Sequence, residues 1–270
     1  EALLGLAKTF EEQIHPIEDN NLIPYFYNDN IFFSDSFKLY SELSTENLKT
    51  SLAIYDSIVV SISDSYLMAE AQFRLGEIQF KIIEDYDKAI ELYHASLSNN
   101  PHLELKKKNI LRIADVLIAK GDDKESITFL DSVYKQYPFP QIKNKLIEVH
   151  LFSGNPDTAL VLLDEIFSEI NSMSNHFNDL MEIRDMINFY YKEVDDKEKN
   201  VFKEFLKIEY LLKQRKIYEA NQKLEFVINN NKNSKLIPTL SLRKALILLT
   251  IKQYDLALVE INRLEKSNLA

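Results

Sequence analysis

Cysteine and tryptophan are absent from this 270-residue sequence, which contains only 4 glycines and 7 prolines. The absence of cysteine excludes a disulfide framework, a thiol nucleophile and a thiolate metal site. The scarcity of glycine and proline argues against a sheet-rich fold, because such folds need many tight turns. Long alternating runs of Val, Ile and Thr are also missing, so the sequence predicts an all-α protein.

Basic residues are outnumbered, with 32 Lys and Arg against 42 Asp and Glu and a formal net charge of −10. Such a charge repels phosphate backbones and anionic lipid headgroups, so we expect no nucleic-acid partner. No apolar run reaches the roughly 18 residues of a membrane-spanning helix, and we expect no direct membrane insertion. The sequence begins at Glu1 without a leader pattern, which we interpret as a processed or excised piece of a longer protein.

Residues for catalysis or metal binding are few and scattered. The sequence has 5 His and none of the HExxH, GxGxxG or P-loop patterns. The acidic pairs at 84–85, 122–123 and 195–196 lack the alternating oxygen ligands of a calcium loop, and at helix starts they favour the helix dipole. We therefore predict no catalytic, cofactor-binding or metal site, and a non-enzymatic protein.

Helical periodicity covers most of the chain. Ser44 is a predicted N-cap, Gly121 a predicted helix end with positive φ, and Asn155 a predicted cap before Pro156. We interpret the first helix as the tail of a preceding element, and the charged run 195–199 as the end of a long helix. The predicted helices cover 1–15, 35–43, 45–62, two within 65–99, 106–121, 122–136, 142–152, 156–170, 174–194, 201–214, 218–230, 236–250 and 254–266.

Aromatic residues are concentrated in the segment 16–34, which has no clear period. One interpretation is an irregular cap whose rings pack over the first helices. The other is an exposed aromatic anchor for a partner. The rings are those of Tyr25, Phe26, Tyr27, Phe32 and Phe33.

The stretch 69–101 is the clearest of several helix pairs that share one spacing. Its first helix carries Gly76 at a small-residue step, and its second carries Ala89 followed by Tyr93 one turn later. Gly76 and Ala89 are 13 residues apart, and four other pairs have a spacing of 12. These pairs are Ala114 with Ser126, Ile147 with Ala159, Ile208 with Ala220, and Ala245 with Ala257. The place of Tyr93 is taken by Leu130, Leu163, Leu224 and Ile261.

This pattern resembles the tetratricopeptide repeat, with Pro101 at the closing proline and departures at Gln72 and Gln79, where Trp and Tyr are usual. The resemblance implies an all-α, right-handed α-α superhelical solenoid of helix pairs, in which neighbouring pairs share one core. The domains predicted on this basis are an N-terminal helix and aromatic-rich cap (1–34), a first subarray (35–171), an extra helix (172–196) and a second subarray (197–270).

The resemblance also implies a concave groove, lined by the first helices, for a protein or peptide partner. Basic residues lie two positions before the small-residue step, and acidic residues one position after it. One hypothesis makes them i,i+3 ion pairs within each helix. The other makes them a polar partner groove with aromatic grip from Phe73, Phe80 and Phe152. The candidate groove residues are Phe73, Arg74, Glu77, Arg112, Asp115, Lys145 and Glu148.

The function predicted from these features is a protein- or peptide-binding scaffold or adaptor. The alternative is a regulatory domain of a larger enzyme or transcription regulator whose active part lies outside this chain. An enzyme with a site inside the superhelix is disfavoured, because no His or carboxylates converge. The second helix DYDKAIELY is similar to bacterial repeats of cell-envelope assembly proteins. That similarity favours the periplasmic side of the envelope and leaves the cytoplasm open; the oligomeric state is not predicted.

Overall fold

A computed structural model describes residues 1–14, 30–33, 42–170, 174 and 176–268. Every regular element in these ranges is helical, and consecutive helices pack against each other, so the all-α helical-repeat prediction is confirmed. The helices are α1 (Ala2–Glu12), α2 (Thr45–Ser61), α3 (Ser65–Ile78), α4 (Tyr86–Ser98), α5 (Leu103–Lys120), α6 (Asp123–Gln136), α7 (Pro140–Phe152), α8 (Pro156–Glu169), α9 (Phe177–Ile187), α10 (Asp196–Lys213), α11 (Ile217–Asn230), α12 (Ile237–Thr250) and α13 (Tyr254–Asn268).

The chain forms two compact units. Unit 1 comprises Glu1–Asn21 and Leu39–Lys145, and unit 2 comprises Leu22–Lys38 and Leu146–Ala270. Each unit has a core built from the facing sides of its own helices. The predicted subarrays and the extra-helix domain at 172–196 follow repeat spacing and stay a prediction.

The close-packing residues chosen by spacing are buried in every pair. The larger residue one turn later is buried in four pairs, where it fills the space that the small residue leaves. Ile261 is a correction: it is exposed, because α13 is the last helix of the described chain. The buried close-packing residues are Gly76, Ala89, Ala114, Ser126, Ile147, Ala159, Ile208, Ala220, Ala245 and Ala257.

A π-helical segment explains the one irregular spacing. Residues Gln79–Ile83 continue α3 as a π-helix, which accommodates one residue more than an α-helical turn. The pair that contains this segment has the spacing of 13, whereas the other four have 12. The left-handed residue that ends the first helix is accordingly displaced by one position, to Glu84 with φ of 63°.

A left-handed residue also ends the first helix of the four other pairs. Gly121 and Gly154 both have φ of 87°, and the non-glycine residues Arg215 and Lys252 both have φ of 61°. The next residue donates its backbone N–H to a carbonyl five positions back, as in a Schellman cap. The predicted conformation of Gly121 is thus confirmed, and the same turn is built twice without glycine.

Side-chain caps begin several helices. Ser44 Oγ accepts from the backbone N–H of Asn47 at 3.3 Å, which confirms the predicted cap of α2. Asp85 and Asp195 cap α4 and α10 in the same way. Asn155 lies at the cap position of α8, but its side chain donates to Ser153 Oγ and makes no cap bond, a correction to the predicted role.

The long helix predicted at 174–194 is shorter and interrupted. Its α-helical part, α9, covers Phe177–Ile187, and a π-helical segment continues it over Asn188–Lys192. The run 195–199 was expected only to end this helix. It begins the next one, because Asp195 caps α10 and 196–199 form its first turn.

The first helix, interpreted from the sequence as the tail of a preceding element, packs within unit 1. Helix α1 packs on α2, and Leu4 and Ala7 share a core with Tyr55 and Ile58. Ser51 and Tyr55 occupy in α2 the places that Ala89 and Tyr93 occupy in α4, and both are buried. Helices α1 and α2 therefore form a further pair, separated by a long connection.

The described part of that connection, 30–33, packs in unit 2. The ring of Phe33 lies 5.6 Å from that of Phe152 and 6.1 Å from that of Phe205, centre to centre. Phe32 is buried in the same core. These two rings neither cap the first helices nor form an exposed anchor, whereas 16–29 and most of the helix predicted at 35–43 lie outside the described residues.

Candidate functional site

Charged side chains join successive first helices in unit 1. Arg112 Nε on α5 lies 2.8 Å from Glu77 Oε1 on α3. Lys145 Nζ on α7 lies 2.8 Å from Asp115 Oδ1 on α5. In both cases the base lies two residues before its small-residue step, and the acid lies one residue after the step of the preceding first helix. The two predicted rows of charge thus meet between helices.

The same arrangement extends to α1. Arg74 Nη1 lies 3.5 Å from Glu11 Oε1, and Arg74 Nε lies 3.4 Å from Glu70 Oε1. Lys8 binds Glu70 at 2.9 Å. We call the residues that join the first helices of unit 1 the charge ladder: Glu11, Glu70, Arg74, Glu77, Arg112, Asp115 and Lys145.

The predicted i,i+3 pairs had different outcomes. The pair Arg112 with Asp115 is confirmed, with Nη1 2.8 Å from Oδ2. Arg74 contacts Glu70 and Glu11 in place of Glu77, which is a correction. Arg112 therefore bridges two carboxylates on different helices, a geometry that fixes α5 against α3.

Tyrosines on the second helices tie down two ladder carboxylates. Tyr93 donates its hydroxyl to Glu77 Oε1 at 2.7 Å, and Tyr55 donates to Glu11 Oε2 at 2.5 Å. Because Tyr55 binds Glu11 as Tyr93 binds Glu77, the two hydrogen bonds support the assignment of α1 and α2 as one repeat. A carboxylate held from two or three sides cannot turn outward, so each rung has a defined geometry.

Burial and neighbouring charge oppose each other along the ladder. Burial raises the pKa of Glu77, but Arg112 and Lys81 outweigh it and hold the pKa below its ordinary value of 4.5. Burial also raises the pKa of Asp115, but Lys145 and Arg112 outweigh burial and hold this pKa well below its ordinary value. At Glu11 burial prevails over Tyr55 and Arg74, and the pKa is raised.

Most basic members of the ladder are the outer ones, and Lys145, 16% exposed compared with 19% for Asp115, is the exception. The side chain of Arg112 is 31% exposed, compared with 9% for its partner Glu77. Lys81, which lies 2.6 Å from the other oxygen of Glu77, is 45% exposed. Arg74 is also more exposed than Glu11 or Glu70. This side of unit 1 therefore presents cations to solvent although the chain as a whole is acidic.

The remaining predicted groove residues lie inside. Phe73 is buried and its ring packs 5.6 Å from that of Tyr93. Phe80 and Phe152 are buried as well, so the expected aromatic grip is wrong for all three rings. Glu148 is buried in unit 2 and binds Lys213 at 2.9 Å.

Unit 2 repeats the rung in a fully buried form. Arg243 Nε on α12 lies 3.0 Å from Glu209 Oε1 on α10, and their side chains are 4% and 1% exposed. The guanidinium group also lies 4.6 Å from the ring centre of Phe33. The rungs follow from the repeat length: with repeats of about 34 residues, the acid after one small-residue step meets the base before the next step.

The family comparison agrees with this geometry. Residues 70–102 and 109–139 match the family model described as tetratricopeptide repeat. The chain carries tetratricopeptide repeats. These two matches cover most of α3 with α4 and of α5 with α6, and they include Arg74, Glu77, Arg112 and Asp115. Comparison with curated proteins finds no matching relative.

Tetratricopeptide repeats serve in general as protein-interaction modules, and the family is typically non-catalytic. Across the described ranges, no three His, Asp or Glu side chains are grouped to hold a metal ion. No helix in the described part of the chain is both long and apolar enough to cross a membrane. The charge ladder, most of which lies in the two matched repeats, is the candidate functional site.

Proposed function

We propose that this chain is a non-enzymatic scaffold or adaptor that binds an acidic protein segment along the first helices of unit 1. The contact surface comprises Arg74, Lys81, Arg112 and Lys145. The observation that supports it is the order of exposure: the side chains of Arg74, Lys81 and Arg112 are each more exposed than the carboxylates that they bind.

The paired state of these cations suits reversible binding. Arg112 uses Nε and Nη1 for Glu77 and Asp115, which fixes the guanidinium plane while Nη2 keeps its donors for a partner. A side chain that is already ordered loses little rotamer entropy when a ligand binds. A carboxylate or backbone carbonyl of the partner then finds a preorganised donor.

Selection of peptides from a random library against the intact chain tests the proposal. We expect enrichment of acidic peptides whose affinity falls with added salt, because exposed cations are screened. Arg112→Gln should weaken the selected peptides about fivefold or more. The matched control is Lys88→Gln, which removes a cation paired to Glu91 on α4, the second helix of the preceding repeat.

Folding is monitored by far-UV circular dichroism and urea unfolding of each variant. If Arg112→Gln unfolds, Lys81→Gln serves as the second test, since Lys81 is the more exposed cation on the same carboxylate. Selected peptides without acidic residues, or equal losses in Arg112→Gln and Lys88→Gln, would contradict the proposed surface.

A further inference from the structure

Helix α3 and the residues that continue it repeat one charge pattern twice. Glu70 and Glu77 are each followed four residues later by a base, Arg74 and Lys81 respectively. Arg74 Nε lies 3.4 Å from Glu70 Oε1, and Lys81 Nζ lies 2.6 Å from Glu77 Oε2. The two carboxylates are two helical turns apart, so both ion pairs follow the same side of the helix.

A second base reaches each carboxylate from a neighbouring first helix. Lys8 Nζ on α1 lies 2.9 Å from Glu70 Oε1, and Arg112 Nε on α5 lies 2.8 Å from Glu77 Oε1. Each carboxylate is therefore shared by two cations from different helices. We call Lys8, Glu70 and Arg74 the Glu70 site, and Lys81, Glu77 and Arg112 the Glu77 site.

In both sites the carboxylate lies inside and the cations lie outside. The side chains of Glu70 and Glu77 are 12% and 9% exposed, whereas those of the four bases are 31% to 45% exposed. Burial raises the pKa of Glu70, but Lys8 and Arg74 outweigh burial and hold this pKa below its ordinary value of 4.5. One buried carboxylate thus spans two cations from the inside, and one carboxylate of a partner can span them from the solvent side.

The distance between the two sites sets the spacing of acidic residues in a partner. Glu70 and Glu77 are seven residues apart in sequence, which separates them by about 10.5 Å along α3. In polyproline II conformation, side chains three residues apart lie on the same side of the chain and about 9.3 Å apart. In a β-strand, side chains three residues apart lie on opposite sides. Polyproline II conformation therefore places two such acidic side chains over the two sites.

The surface over α3 does not suit an amphipathic partner helix. Between residues 69 and 78 every residue except Arg74 is buried, and Phe80 is buried as well. A partner helix binds by packing its apolar side on exposed apolar residues, and this part of α3 offers none. An extended segment held by its charges needs no such surface.

We propose that the partner segment binds in polyproline II conformation through two acidic residues three positions apart, one at the Glu70 site and the other at the Glu77 site. This inference rests on the proposed function and specifies the sequence of the acidic partner. It also adds Lys8 of α1 to the contact surface, because Lys8 is the second cation of the Glu70 site.

Proline-rich, labelled peptides that are capped at both ends are the probes, so no chain-terminal carboxylate contributes. The first peptide carries two glutamates three positions apart, and the second has the same composition with the two glutamates adjacent. Fluorescence polarisation with the intact chain should show about fivefold or more tighter binding of the first peptide. Replacing either glutamate of the first peptide with glutamine should weaken binding by about fivefold or more.

Variants of the chain assign each glutamate to one site. Lys8→Gln and Lys81→Gln each remove one exposed cation, from the Glu70 site and the Glu77 site respectively. In each variant the loss on replacing one glutamate should fall to about twofold, and the glutamate concerned should differ between the two variants. Lys88→Gln on α4 is the matched control, since Lys88 is 52% exposed and lies outside both sites. Circular dichroism verifies that all three variants fold.

The outcomes separate this inference from the proposed function. Equal affinities of the two peptides, or the same losses in Lys88→Gln as in the site variants, would overturn the spacing and leave an acidic partner in place. Tighter binding of an alanine-based helical peptide with glutamates seven positions apart would overturn the polyproline II conformation. A random library that yields no acidic peptides would refute the proposed function itself.

Discussion

Replacing Gly76 with alanine is a direct test of how closely α3 and α4 pack. A Cβ atom on Gly76 would lie 2.7 Å from Cε1 and 2.9 Å from Cδ1 of Tyr93. The tyrosine is fully buried and its hydroxyl is held by Glu77, so the ring cannot turn away without losing that hydrogen bond. Alanine at this position therefore forces the two helices apart.

Two opposing effects set the magnitude. Glycine to alanine inside a helix gains about 1 kcal/mol of stability. Overpacking a dense core costs about 1–3 kcal/mol. The balance is a loss of up to about 2 kcal/mol in the free energy of unfolding for Gly76→Ala, and we expect the upper part of that range because the contact is with a ring that has no free space. The control is Gly5→Ala in α1, where nothing lies within 4 Å of the new Cβ. That change should gain up to about 1 kcal/mol.

Urea unfolding, followed by circular dichroism, measures both variants. Amide hydrogen exchange in α3 and α4 localises the effect, since a chain of two units need not unfold in one step. In a Tyr93→Leu background, which reproduces the Ala114 and Leu130 combination of the next repeat, the cost of Gly76→Ala should disappear. A stabilising Gly76→Ala in the parent chain would refute the reasoning.

Three further predictions concern the turns and charges. Arg215→Gly should raise the free energy of unfolding by about 1 kcal/mol, because Arg215 has a φ of 61°, which glycine adopts without strain. Urea unfolding midpoints measure this gain, and Gly121→Ala, the opposite change at an equivalent turn, should lose stability. Arg243→Ala should cost about 3–5 kcal/mol by leaving Glu209 buried without its counter-ion, whereas the exposed Arg263→Ala should cost under about 1 kcal/mol. The folded-state pKa values of Glu70, Glu77 and Asp115 are lowered, so the stability they contribute is complete above their ordinary values of 4.5, 4.5 and 3.8 and is lost as pH falls through the lowered ones. Thermal melts between pH 3 and 7 should therefore show a smaller acid loss in Glu77→Gln than in the parent chain.

Local pattern was sufficient to predict most of the helices and the repeat. Small residues such as Ala89 and Ala159 lie where two helices pack closely, and their spacing is the same in repeats whose other residues differ. The cap at Ser44 and the turn at Gly121 are also local, since one residue determines the backbone there. The caps and turns are thus determined within a few residues, and the repeat within the 12 or 13 residues that separate its two small-residue positions.

Most of the features that were not predicted involve contacts between residues that are far apart in the sequence. The pairing of α1 with α2 was hidden because a connection longer than 30 residues separates their partners Glu11 and Tyr55. The rungs of the ladder join residues such as Glu77 and Arg112, whereas the expected pairs were sought within one helix. Phe73 was predicted to line the groove but is buried, because the spacing of charged residues does not show which side of α3 packs against α4.

The position of Phe32 and Phe33 has a consequence for biosynthesis. Both rings are made early, but Phe152 and Phe205, on which Phe33 packs, are made much later. At usual rates of translation the delay is on the order of ten seconds. Throughout that interval Phe32 and Phe33 lack the later-synthesised part of the unit 2 core on which they pack.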